Sequence, residues 1–310
     1  MNDPKEIDKD RGFRKLAIIA LILTTILWGS TFIITKNITQ EVPIFLYLGL
    51  RYFIASIGFL PFLKHFNKLN RRILLYGFIT GIIYFLGIVF QTYGLQTTSA
   101  GKAGFITGLS TVMVPFLGWL IFRTRFKKRV YVALLLSVIG MALLLLEKES
   151  GFILGDILVL ICAFFYALFI ILNDKYVKLE DVYLYSLIQL VVLSLFSFAG
   201  SYLLQEDYQI FNANITIWFV FLYMGFAATT LTFLFQNWGQ KYQGPAKTAI
   251  IFTLEPVFAA FFGFLIGGEI LSWQAWIGCI LIFVAILITV IKNRNNSKIR
   301  TKGSSKSEKE

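Results

Sequence analysis

Histidine, cysteine and charge are what this 310-residue chain has least of. The one histidine, His65, lies in a basic loop, so there is no histidine pair for a metal or for a buried acid–base dyad. There is no His-Glu-x-x-His run and no Gly-x-x-x-x-Gly-Lys-Ser/Thr pattern, the spacings that hold zinc and nucleotide phosphates. No catalytic residue, resident metal, cofactor or direct drive by ATP is therefore expected. Cys162 and Cys279 each sit inside an apolar run, which suits small core residues and makes neither a metal motif nor a disulfide framework. Charged residues are 15% of the chain, where soluble domains carry near a quarter.

What fills the chain instead is apolar. Hydrophobic residues make up 57% and the mean hydropathy is +0.73. Apolar runs of about 20 residues, the length that spans a bilayer, recur ten times: 16–35, 43–63, 73–93, 100–122, 130–146, 152–172, 182–204, 214–236, 246–267 and 271–291. The first lacks a small-residue cleavage site and is followed by many more, so it is read as a span and not as a signal peptide. Residues 1–15 form a charged tail and residues 292–310 a basic, Ser-containing one. The expectation is an all-α integral membrane protein.

The net charge of +12 does not point to nucleic acid, because of where it sits. Twenty-five Lys and Arg residues lie in the two tails and in the loops at 64–72, 123–129, 175–178 and 241–247. The alternate set of loops holds only Lys36, Lys102 and Lys148. By the positive-inside rule both tails are cytoplasmic, in the plasma membrane. Ten spans split into two sets of five, and an odd number per half makes the second half cross in the opposite sense. An echo falls at matching places: Phe90-Gln91-x-x-Gly94 with Lys102 and Pro115, then Phe235-Gln236-x-x-Gly239 with Lys247 and Pro256. This is the pattern of an inverted-topology repeat around a central cavity, with repeats at 16–147 and 148–291. Setting Pro115 against Pro256 puts Val114 where Glu255 stands. Glycines four apart, Gly77 and Gly81, Gly104 and Gly108, Gly263 and Gly267, suit close helix packing.

Glu255 is nine residues beyond Ala246, roughly 13–14 Å along a helix and thus near the middle of a core about 30 Å thick. A carboxylate there marks a pathway or a partner: a site for a proton or a substrate ammonium group, or a structural carboxylate. Arg51, roughly 12 Å into the second span, either holds a substrate carboxylate or forms a fixed ion pair, with Glu255 the first choice of partner. Lys102 and Lys247 open helices on opposite faces, as mouths for anions or as snorkelling residues. Gln91 and Gln236 line the cavity or bond between helices. Trp28 and Ser30 fall mid-span, away from the interfacial belt. Thr107, Tyr84, Tyr166 and Gln189 complete the candidate cavity residues. Asp156, at a helix start, is read as structural.

Several short stretches carry a resemblance over nearly all of residues 16–291: Trp28-Gly-Ser-Thr-Phe32, Arg51-Tyr52, Gly101-Lys-Ala-Gly-Phe-Ile106, Gly155-Asp156, Leu254-Glu-Pro256 and Gly268-Glu269. In their order and in the five-plus-five layout they resemble the EamA-type families of the drug/metabolite transporter superfamily. That resemblance implies ten transmembrane helices, a cavity between the halves, and export or exchange of small metabolites such as amino acids. Where the second half has Gly268-Glu269 the first has Arg125 in a basic cluster, a difference of loop topology. The function expected is secondary transport, with export the expected direction, of small polar or amphipathic metabolites by alternating access. Proton coupling through Glu255 and facilitated diffusion are both open. Other readings are a non-transporting scaffold or receptor, a transporter of nucleotide-sugars or drugs, and a membrane enzyme, the last disfavoured by the missing histidines. The expected partners are a small-molecule metabolite and the lipid bilayer, with no nucleic acid. Two five-span halves can enclose a complete cavity, so a monomer suffices.

Overall fold

Polar caps and prolines set where the helices begin. In this computed structural model, which describes residues 4–123, 127–145, 153–207, 214–267 and 273–290, α1 (Pro4–Ile38) leads to α2 (Ile44–Ile57), which starts directly after Pro43. A 3-10 segment, Leu60–Lys68, precedes α3 (Arg71–Leu95), whose first amides donate to the Asn70 side chain. Ser99 caps α4 (Ala100–Gly108) in the same way, and α5 (Ser110–Phe122) and α6 (Lys128–Leu145) follow. Next come α7 (Leu154–Val177) and α8 (Val182–Leu203), the latter capped by Asp181. Asn214 caps α9 (Ile215–Leu222), which runs through a π-helical stretch, Tyr223–Leu231, into α10 (Thr232–Gln243). Gly244, at φ 77°, supplies the left-handed turn into α11 (Pro245–Phe252), and α12 (Glu255–Gly267) and α13 (Trp273–Val290) complete the order. Side-chain oxygens satisfy amides that a helix start leaves bare, and Pro245 at a first helical position gives up no bond. Arg125, Lys148, Gly268, Glu269 and the tail 292–310 lie outside the described residues.

The arrangement is inverted relative to a soluble protein. Large apolar side chains such as Phe116, Leu195 and Phe219 stand exposed on the outside, while Thr24, Thr80, Asn173, Gln189, Asn237 and Gln240 are fully buried. A hydrocarbon solvent produces that distribution, because backbone and polar side chains must satisfy one another inside. Seven stretches among the described residues are long and apolar enough to cross a membrane, from Gly12–Ile38 to Pro245–Ile266. Ile44–Ile57 and Trp276–Ile288 are shorter apolar helices. No strand occurs among the described residues.

Contacts along the helices fix their relative directions. Tyr76 stacks on Tyr176 with ring centres 4.1 Å apart, while Gly94, at the other end of α3, meets Val159 and the Gly155 carbonyl; α3 and α7 are antiparallel. Phe13 stacks on Tyr242 at 5.7 Å while Ser30 shares a 2.7 Å hydrogen bond with Tyr223, so α1 opposes the α9–π–α10 rod. Gly200 lies against Phe45, and Ser194 donates to the Gly49 carbonyl; α2 opposes α8. By contrast, Gly77 meets Ile188 and Gly81 meets Val192, so α3 and α8 run together. Tyr47 touches Phe221 and Thr230 donates to the Ala55 carbonyl, so α2 runs with the π-helical stretch. Gly104 and Gly108 admit Ala259 and Pro256 of α12. The glycines at spacing four in α3 and α4 therefore do sit at helix crossings.

Two polar assemblies tie the ends of the bundle. At the end where α3 begins, Asn173 donates to Asn237 (2.8 Å) and Gln240 (2.9 Å), and Asn237 donates to Ser186 (2.7 Å) and Gln189 (2.9 Å). Gln189 in turn donates to Thr80 (2.9 Å) and Asn173 (3.1 Å), so the network stitches α3, α7, α8 and α10. Nearby, His65 Nδ1 and Lys68 Nζ lie 2.8 and 3.0 Å from Asp181 Oδ2. Partial burial pushes the Asp181 carboxyl up, but these hydrogen bonds outweigh it and hold it below its ordinary value. At the opposite end Lys102 Nζ lies 2.8 Å from Asp156 Oδ2, a covered ion pair between α4 and α7. Ile153 N donates to the same carboxylate at 2.8 Å, Thr98 bonds its other oxygen, and Lys36 Nζ donates to the Thr98 carbonyl at 2.9 Å, which draws in α1. Lys102 is thus neither a free mouth for anions nor a snorkelling residue: its ammonium is held across the bundle. Lys247 donates to Gln243 at 3.3 Å.

Two outcomes test this packing. A Cβ at Gly94 would come within 2.7 Å of the Gly155 carbonyl oxygen, whereas one at Gly101 meets nothing within 4 Å. Gly94→Val is expected to destabilise by about 1–3 kcal/mol through overpacking, and Gly101→Ala to leave the thermal midpoint unchanged or raised; equal melting curves would count against the α3–α7 contact. The Lys102–Asp156 pair is covered by protein yet close to the bundle end, between the surface and buried limits for ion pairs. Asp156→Asn and Lys102→Met should each cost about 2 kcal/mol, and the double substitution clearly less than their sum. Plain additivity in unfolding measurements would remove the pair as a stabilising unit.

Candidate functional site

Two helices are broken in mid-course. Between α4 and α5 the break falls at Leu109, and between α11 and α12 at Thr253 and Leu254. Pro256 lies in the first turn of α12, where its missing N–H is harmless, and Glu255 is the first residue of that helix. In α5 the corresponding proline, Pro115, sits further in, and the helix continues through it. Aligned by the breaks, the residue facing Glu255 in the pattern is Ser110 and not Val114. Ser110 lines the central cavity, whereas Val114 is fully buried in the apolar core.

Between the breaks and α1, α2, α3, α7 and α10 lies a narrow cavity. About 30 Å³ of it is open to the centres of water molecules, room for roughly two waters. Of the expected residues, Trp28, Arg51, Tyr84, Gln91, Thr107, Tyr166, Gln236 and Glu255 line it together. Thr31, Ile88, Gly108, Ser110, Thr111, Phe169, Ile170 and Phe252 complete the wall. Tyr84 packs against Tyr166 and Phe169 with ring centres 5.0 Å apart, and Trp28 against Phe252 at 5.2 Å. Gln91 donates to Thr107 at 3.0 Å, and Tyr166 OH lies 3.5 Å from the Gln91 carbonyl oxygen. Both repeated glutamines thus reach the same space from different helices. Gln236 Oε1 is buried and has no hydrogen-bond partner among the described residues.

The two charges behave differently from the expected pair. Arg51 and Glu255 share the cavity, but no ion pair joins them among the described residues. Arg51 Nε instead donates to Thr229 at 2.8 Å, its Nη1 lies 3.4 Å from Tyr47 OH, and its carbon Cζ is 5.5 Å from the Tyr52 ring centre. These contacts turn the guanidinium toward α2 and the π-helical stretch. Glu255 accepts no hydrogen bond among the described residues. One cavity therefore presents a cationic and an acidic group that do not neutralise each other, set in aromatic walls.

Ser30 and Gln189 are not in this wall. Ser30 bonds to Leu27 and Tyr223 on the other side of α1, and Gln189 belongs to the buried amide network. Sequence reasoning missed the rest of that network, Asn173, Asn237 and Gln240, because these amides fall just past the ends of the apolar runs 152–172 and 214–236. It also missed Phe169, Ile170 and Phe252, which nothing distinguishes from other apolar residues in a span. Thr229, which fixes Arg51, had no sequence signal beyond being a hydroxyl in an apolar run. Asp156 is structural as expected, with Lys102 as its partner.

Comparison with known proteins agrees with this geometry. The EamA-like transporter family matches twice, over residues 15–146 and 153–291. An uncharacterized transporter of Archaeoglobus fulgidus is 34% identical over 282 residues, covering 91% of this chain and 88% of that one. The uncharacterized transporter YetK of Bacillus subtilis is 27% identical over 300 residues, covering 90% and 88%. A solved crystal structure at 16% identity superposes with a TM-score of 0.75 over 90% of this chain and 97% of the other, a likeness of fold. With a membrane-spanning helical bundle, a buried polar cavity and a family match in each half, the chain belongs to the EamA-like transporter family, a multi-pass membrane transporter of small molecules and not an enzyme.

Proposed function

We propose that the protein is a secondary transporter of small zwitterionic, amphipathic metabolites such as amino acids, working by alternating access and exporting them. The observation that carries this reading is the unpaired coexistence of Arg51 and Glu255 in one aromatic-walled cavity. A carboxylate can bridge to the guanidinium, where charge-assisted bonds are strong. An ammonium group can lie against Glu255, the open carbonyl of Gln236 and the faces of Trp28 or Tyr84. A ligand with both ends satisfies both charges at once, whereas one with a single charge leaves the other buried and unmatched.

The frame is ten spans: α1, α2, α3, α4–α5, α6, α7, α8, α9–π–α10, α11–α12 and α13, in two repeats over 16–147 and 148–291. Its inverted sense is supported by the contact directions. If α1, α2 and α3 run up, down, up, then α7, α8 and the α9–π–α10 rod run down, up, down. The uneven distribution of Lys and Arg supports cytoplasmic tails. That orientation puts the amide network at the cytoplasmic end and the Lys102–Asp156 pair at the outer one. A cavity far smaller than the 300–1,000 Å³ of ordinary ligand pockets has to widen for a substrate to enter, so one end must open while the other holds. Two halves enclose the whole cavity, so a monomer suffices in the plasma membrane. Glu255 can carry a proton when no ammonium group occupies it, which leaves proton coupling and facilitated diffusion as two modes of one site.

Counterflow in proteoliposomes loaded with L-leucine tests the reading. Labelled leucine should accumulate. Its decarboxylated analogue, 3-methylbutylamine, and its deaminated analogue, 4-methylpentanoate, should compete at least about tenfold more weakly. Arg51→Gln and Glu255→Gln should each abolish counterflow. Absence of movement for a panel of zwitterionic amino acids, or equal competition by the one-ended analogues, overturns the proposal, and the first outcome favours another substrate class, such as nucleotide-sugars or drugs.

A further inference from the structure

The π-helical stretch Tyr223–Leu231 is the one segment of its kind among the described residues, and it lies against Arg51. A π turn accommodates one more residue than an α turn and costs hydrogen-bond geometry, so it persists where something gains from it. Here two successive threonines use the widened turn. Thr229 Oγ1 donates to the Met224 carbonyl at 2.7 Å, and Thr230 Oγ1 lies 3.1 Å from the Gly225 carbonyl, both five residues back. In an α-helix the same hydroxyls would reach back three or four residues. Thr230 is also 2.9 Å from the Ala55 carbonyl of α2, which pins the stretch to that helix. Gly225 permits the approach: a Cβ there would press on Ile54 and come within 3.4 Å of the Arg51 carbonyl oxygen.

The consequence falls on the guanidinium. With its proton committed to Met224, the Thr229 hydroxyl presents only lone pairs to Arg51, and Nε donates to it at 2.8 Å. Nη1 is only weakly engaged by Tyr47, at 3.4 Å, and Tyr47 is itself held 2.9 Å from Thr35 of α1. Nη2 has no hydrogen-bond partner among the described residues. A guanidinium has a rigid fork of donors, so fixing Nε fixes where the remaining pair points. Thr229 itself does not line the cavity.

We infer that Thr229 is a positioning residue for the anionic end of the substrate: the π turn places its hydroxyl to aim the Nη donors of Arg51 into the cavity, and it thereby sets the preference for carboxylate-bearing ligands without touching them. The inference rests on the proposed role of Arg51 as the carboxylate site. It deepens that reading by locating the selectivity in a helix the substrate does not contact.

Two substitutions separate positioning from structure. Thr229→Val keeps the volume and removes both hydroxyl bonds; Thr229→Ser keeps both. In leucine counterflow, Thr229→Val should raise the half-saturating concentration about tenfold with the maximal rate little changed. The half-inhibitory concentration of 4-methylpentanoate should rise in parallel and that of 3-methylbutylamine should stay within a factor of about two. Thr229→Ser should restore wild-type values. A parallel loss for acid and amine, no change for either, or failure of serine to rescue overturns the inference. A second measurement is independent of transport. In nitrogen-15 arginine-labelled protein in nanodiscs, the Nε–H resonance that Arg51→Lys removes should move in Thr229→Val and return in Thr229→Ser. If the wild type moves no zwitterion, the proposed function fails while that resonance still decides whether Thr229 holds the arginine. An unmoved resonance refutes the positioning role whatever the transport assays give.

Discussion

A polar atom surrounded by hydrocarbon has to be met by another polar atom, and most of this structure follows from that demand. Water is absent from the bilayer core, so an unmatched donor or acceptor there costs several kcal/mol. The buried amides Asn173, Gln189, Asn237 and Gln240 meet it by bonding to one another across four helices. Lys102 and Asp156 meet it as an ion pair whose remaining lone pairs go to Ile153 and Thr98. Between these two closed assemblies the demand goes unmet. Arg51 has donors to spare, Gln236 has an open carbonyl oxygen and Glu255 has no hydrogen-bond partner among the described residues. Single buried atoms elsewhere, such as Ser137 Oγ and Ser201 Oγ, also lack partners, but the deficit in the cavity is ringed by aromatic side chains and has the signs of a zwitterion reversed.

Much of this could be read from residue order. The apolar runs mark where the helices lie, because a bilayer demands length and apolarity together, but not all their ends: α1 starts at Pro4, well before its run, and α10 continues to Gln243, past its own. Pro256 stands beside one helix break, whereas Pro115 lies inside α5 and marks none; the Phe-Gln-x-x-Gly echo leads to both cavity glutamines. Depth along a helix was legible too, since rise per residue is fixed; hence Arg51 and Glu255 were placed at one level. Direction around a helix was not legible. Ser30 is two residues from Trp28, about 200° round the helix at 3.6 residues per turn, and so faces Tyr223 instead of the cavity. Gln189 lies toward one end of the bundle and bonds into the amide network there. The expected Arg51–Glu255 pair fails for a similar reason. Two charges at one depth need not face each other, and Thr229 on a third helix turns the arginine aside.

The two halves share a plan and differ in the details that bear chemistry. Each half contains a broken helix, α4–α5 and α11–α12, yet one break carries Glu255 and the other Ser110, so among the described residues Glu255 is the acidic group in the cavity wall. The Lys at the start of each broken helix is likewise shared: Lys102 pairs with the Asp156 carboxylate of α7, and Lys247 donates to Gln243 at the end of α10. α3, which carries the first Phe-Gln-x-x-Gly phrase, is a continuous α-helix of 25 residues; the rod that carries the second contains the π stretch. Repetition supplies the frame, and departures from it supply the charge asymmetry that a one-ended or two-ended ligand would sense.

The π stretch also shows where this chain can change length inside a helix. Most insertions and deletions in membrane proteins are absorbed by loops, which leave the packed faces alone. A π turn takes up one residue more than an α turn, so a residue removed between Tyr223 and Leu231 would let the rod relax to an ordinary α-helix with the faces beyond it kept nearly in place. Gln236 would still reach the cavity, and Gly239 would still admit Leu21 of α1. What would go is the five-residue reach of the two threonine hydroxyls, and with it the acceptor that holds Arg51.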